Sequence, residues 1–179
     1  MLPGMTRRRW LWVLGFASAA LLLVLALLDL RMQDTGGPGI IAFELAGSNA
    51  QATEIMAEWG AAGQDAARLS LWLDFPYLVL YGAFLTLAVL ALRDAGRERG
   101  WDRYASYGLV VAFLPAVAAL CDVAEAVGLL LILDGRGGTR LPPLATAFAL
   151  VKFAALAAVA AYLLTGLAGL ARRHLRWVR

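Results

Sequence analysis

Four apolar stretches, at about 10–30, 71–92, 107–133 and 144–170, dominate this chain and narrow its folding options to one class. Crossing a hydrocarbon core of about 30 Å takes about 20 helical residues. A backbone inside lipid must also satisfy every N–H and C=O internally. The stretches therefore predict an all-α architecture, a transmembrane four-helix bundle. Of the 179 residues, 61% are hydrophobic and 16% charged. Once the four segments are subtracted, too little chain remains for a sizeable soluble domain, so residues 1–179 read as a single integral membrane domain.

The first stretch follows Arg7-Arg8-Arg9 and could be taken for a secretion signal. Its apolar run exceeds the roughly 7–15 residues of a signal core, and no small-x-small site follows Leu30, so it predicts an uncleaved first span. Basic residues then set the sidedness. Arg7, Arg8, Arg9, Arg93, Arg97, Arg99, Arg103, Arg172, Arg173, Arg176 and Arg179 fall at the termini and the second connection, eleven in all, against four (Arg31, Arg68, Arg136, Arg140) in the first and third. Lys and Arg near span ends are retained on the cytoplasmic side. A bacterial inner membrane protein with both termini cytoplasmic is expected, with Trp10, Trp12, Trp101 and Trp177 at the cytoplasmic boundary. The net charge of +3 belongs to these clusters beside lipid headgroups, so the bilayer is a partner and nucleic acid is not.

The long first connection carries its own signals. Gly36-Gly37-Pro38-Gly39 interrupts the helix, and Ser48-x-x-Gln51 is a capping-box pattern. Ala52, Ile55, Met56, Trp59 and Ala62 recur at helical spacing, predicting a short amphipathic extracytoplasmic helix over about 49–62 that ends near Gly60 or Gly63. It either rests on the outer membrane surface or lids the bundle.

Charges inside the spans are the informative residues, since an ionised side chain near a helix centre costs roughly 2.5–3.5 kcal/mol on insertion scales. Asp74 lies in the second span, Asp122 and Glu125 in the third and Lys152 in the fourth, with Asp29 at the outer end of the first and Glu44 just beyond it. A rise of about 1.5 Å per residue, counted from the outer boundaries, puts Asp74 roughly 6 Å deep, Glu125 and Lys152 roughly 12 Å and Asp122 roughly 17 Å. Glu125 and Lys152, level on adjacent antiparallel helices, predict an ion pair, and the same counting sets Asp74 and Asp122 about 11 Å apart. Asp122 and Glu125 share a face with Pro115 and Ala118, and Asp74 shares one with Tyr77 and Tyr81. Pro76 and Pro115 are expected to kink their helices and open space beside these groups. The predicted site is a ligand or ion pocket of Glu44, Asp74, Tyr77, Tyr81, Asp122, Glu125 and Lys152. Its carboxylates outnumber its amine, so protons or a ligand cation must balance it.

Other chemistries fit poorly. One cysteine, Cys121, and one histidine, His174, exclude a disulfide, paired-thiol redox chemistry and a histidine metal cluster, and no metal or cofactor is expected. One intramembrane lysine among acids would repel a phosphate.

Phe43-Glu44-Leu45-Ala46-Gly47, Leu73-Asp74-Phe75 with Tyr81, and Asp122-x-x-Glu125 resemble the recurring pattern of a family of bacterial four-span integral membrane proteins, with Ala126 where that pattern often has asparagine. The resemblance covers almost the whole chain and implies a four-helix bundle with polar sites in its outer half. The stretch from Asp122 to Leu131 is also similar to a motif of lipoprotein signal peptidase, a four-span aspartyl protease, although the only asparagine here is Asn49. Three functions stay open: a pocket for a small cationic or protonatable species, a structural or accessory subunit bound to a membrane-protein partner, and an intramembrane aspartyl hydrolase.

Overall fold

The computed structural model describes residues 6–176, with side chains through Ala171. The expected aromatic anchor Trp177 and Arg179 lie outside the described residues, as do the side chains of Arg172, Arg173, His174 and Arg176. Among the described residues the chain is all-helical, with α1 (Arg7–Asp34), α2 (Ile40–Glu44), α3 (Asn49–Arg97), α4 (Asp102–Val111), α5 (Leu114–Leu133) and α6 (Leu141–Arg176). α1, α3, the α4–α5 pair and α6 are four units long and apolar enough to cross a membrane.

Two of the expected breaks take a definite form. Gly60 adopts φ 57° and ψ −165° inside α3, a conformation open almost only to glycine, and divides a short capping segment, 49–59, from the spanning segment, 61–97. Ser48 caps the first segment, its hydroxyl accepting from the Gln51 amide at 3.3 Å, as the capping-box spacing predicts. The spanning segment starts directly after Gly60 rather than near Leu71, so its helix is roughly 55 Å long at about 1.5 Å per residue and projects beyond a core of about 30 Å. Pro115 opens α5 after a two-residue turn at Ala112 and Phe113, both still in the right-handed helical region, because a proline there lacks an N–H and crowds the preceding turn. Pro76 differs from expectation. It sits within helical backbone of α3, where the only non-helical residue is Gly60.

α3 is the central post. It packs against α1, α5 and α6, and α5 packs along α6, whereas α1 has no comparable contact with α6. At one end of the bundle, α2 and segment 49–59 fold inward as a cap. Phe43 and Trp59 are each 1% exposed, packed ring against ring at 5.1 Å and joined in one core with Met32, Leu71, Ala126 and Leu129. The short helix is thus built into the bundle end rather than resting beside it. At the opposite end Tyr104 stacks on Tyr162 at 4.2 Å. Each of these hydroxyls donates to the other residue's carbonyl, at 3.0 and 3.3 Å, clamping α4 to α6.

Candidate functional site

Lys152 organises the site. Its Nζ lies 2.9 Å from Glu125, 3.0 Å from Asp122 Oδ1 and 3.3 Å from Glu44 Oε2. The expected Glu125–Lys152 pair is present, but within a network of three carboxylates. Glu125, Asp122 and Lys152 are 1%, 4% and 6% exposed. Asp122 Oδ2 accepts a hydrogen bond from the Tyr81 hydroxyl at 2.9 Å, so both of its oxygens are engaged. Tyr77 packs against Tyr81 with the rings tilted, their centres 5.1 Å apart. Pro115 and Ala118 share the buried face of Asp122 and Glu125, as their spacing predicts.

Asp74 lines the same cavity as Asp122, close enough for the two carboxyls to interact. Asp74 makes no ion pair with Lys152 and faces a cavity.

Glu44 enters the cluster from outside the spans. It terminates α2, a helix of five residues with no side-chain cap of its own at Gly39. Asp29 of α1 supplies that cap, accepting from the Ile40 amide at 2.6 Å with one oxygen and from Gln33 Nε2 at 2.6 Å with the other. Gly39 permits this approach, since a Cβ there would sit 2.5 Å from Asp29 Oδ1. Past Glu44, the Thr146 hydroxyl of α6 donates to the Glu44 carbonyl at 2.9 Å and accepts from the Gly47 amide at 3.0 Å. The segment Phe43–Gly47 is therefore fixed to α6 by side chain and backbone together. Burial pushes the Glu44 carboxyl above the ordinary carboxylate range, an effect partly offset by the Lys152 ammonium.

These groups open onto a cavity of about 610 Å³ between α1, α3 and α6, within the roughly 300–1,000 Å³ usual for small-molecule sites. Glu44, Asp74, Tyr77, Tyr81, Asp122 and Lys152 all line it, with Glu125 packed behind Lys152. Asp29, Ser18 and Ser70 line it too and were not among the sequence-derived site residues. Serine in a spanning helix carries little signal, because its hydroxyl usually bonds back to its own helix. Among the described residues no group of three or more His, Cys, Asp and Glu is placed to hold a metal ion.

Compared with protein-family models, curated proteins and solved structures, the chain matches none.

Proposed function

We propose that this is a multi-pass protein of the bacterial inner membrane, both termini cytoplasmic, whose intramembrane pocket binds or passes a small cationic or protonatable species. The observation that carries the reading is the charge count at the cavity wall. Glu44, Asp122 and Glu125 surround one amine, and a further carboxyl, Asp74, faces the cavity with no ion pair among the described residues. Ionised carboxylates at such a site attract a cation, and without one they must hold protons. The pocket then exchanges protons or cations with its ligand. The sidedness rests on the arginine distribution, which puts the capped end of the bundle outside.

Proteoliposomes containing a pH-sensitive dye test this. Methylamine or proton flux above protein-free vesicles, abolished by Asp74→Asn and by Asp122→Asn, is expected. Wild-type vesicles that neither bind nor pass any cation would contradict it.

A second reading has its own support. Lys152 ties α2, α5 and α6 at one point, so the network also serves as a scaffold, and the chain as an accessory subunit for a membrane-protein partner. The hydrolase reading draws on the closeness of Asp74 and Asp122, but an Asp122 held by both Tyr81 and Lys152 is poorly poised to activate water.

A further inference from the structure

The cavity differs from an ordinary ion site in where it opens. α3 forms its back wall, while α1 and α6 form its sides without packing on one another, leaving a seam between Leu22 of α1 and Leu156 of α6. Both helices cross the membrane, so this seam faces acyl chains rather than water. On the α1 side the cavity wall carries a polar group that no described residue satisfies. Ser18 is 8% exposed, its Oγ is buried without a hydrogen-bond partner, and it lines the same cavity. Arg7 pairs with Asp94, and Gly15 faces Phe84, so α1 and α3 run antiparallel in a register that sets Ser18 near the level of Tyr81. A buried hydroxyl left unpaired is costly, and a ligand donor placed there would recover that cost.

We propose that the ligand is a long-chain amine taken from the bilayer, its ammonium held by Asp74 and Asp122 in the cavity that Ser18 also lines and its alkyl chain leaving through the seam between α1 and α6. The inference rests on the cationic-pocket reading and specifies its ligand class. The apolar walls match an alkyl chain, the surplus of carboxylates matches an ammonium, and the lateral opening lets a membrane-dissolved molecule enter without crossing water. A phospholipid head is disfavoured, because its phosphate would face four carboxyls.

The test uses the full chain in phosphatidylcholine nanodiscs with a photoreactive hexadecylamine carrying its label in the alkyl chain. Crosslinks to α1 around Leu22 and to α6 around Leu156 are expected. Hexadecylamine should displace the probe on the order of tenfold better than hexadecanoic acid or methylamine. Leu156→Trp, which plugs the seam, and Ser18→Leu, which fills the cavity from the α1 side, should each cut labelling on the order of tenfold while the thermal midpoint is retained. If methylamine binds as well as hexadecylamine and neither variant matters, the lateral ligand is overturned while the cationic pocket survives. If no amine binds and Asp74→Asn changes nothing, both fall.

Discussion

Lys152 cannot be removed without leaving Glu44, Asp122 and Glu125 facing one another in a buried site. Breaking a buried ion pair from one side costs about 3–5 kcal/mol, so Lys152→Met should lower the unfolding free energy by about that much in detergent. Adding Glu125→Gln should restore part of the loss, because it withdraws one of the charges left behind. A Lys152→Met protein with unchanged stability would show that the network does not hold the helices. Glu44 gives a pH signature. Its folded carboxyl is raised by burial, so the folded chain keeps a proton that the unfolded chain releases. Its contribution is present below the ordinary carboxylate value and is lost as pH rises through the raised one. The thermal midpoint should therefore fall across that window, and Glu44→Gln should flatten the fall. The Glu125–Lys152 pair could be read from the sequence because both residues lie a similar distance from one short loop. Ser18 could not, since an isolated serine in an apolar helix looks like tolerated composition.

At the scale of elements, the four spans and the capping segment were readable because apolar runs and a capping box are local signals. α2 was not. Five residues carry no helical period, and the cap that starts it comes from Asp29, eleven positions earlier. Asp29→Ala should cost about 1 kcal/mol of stability, as loss of a helix cap does, and should loosen Glu44 from Lys152. Hydrogen exchange at the Ile40 and Ala42 amides would register the change. Gly60 makes a separate demand. Its backbone angles are closed to alanine without strain, so Gly60→Ala should cost about 1–3 kcal/mol and displace segment 49–59 from the bundle end. An unchanged melting curve would place the turn elsewhere in solution.

For the molecule as a whole, the bundle has a closed side and an open one. α3, α5 and α6 form a packed unit around the acid–lysine cluster, while α1 packs on α3 and leaves the seam with α6. The capped end carries Glu44 into the cluster, so the cap and the site share a residue. Charge supplies the reason for a ligand, and the open seam supplies its route. The measurement closest to this account is native mass spectrometry of the protein released gently from its membrane, wild type beside Asp74→Asn. The wild type should carry a bound species of amine character that the variant lacks. Bare chain mass in both, with equal thermal stability, would contradict it.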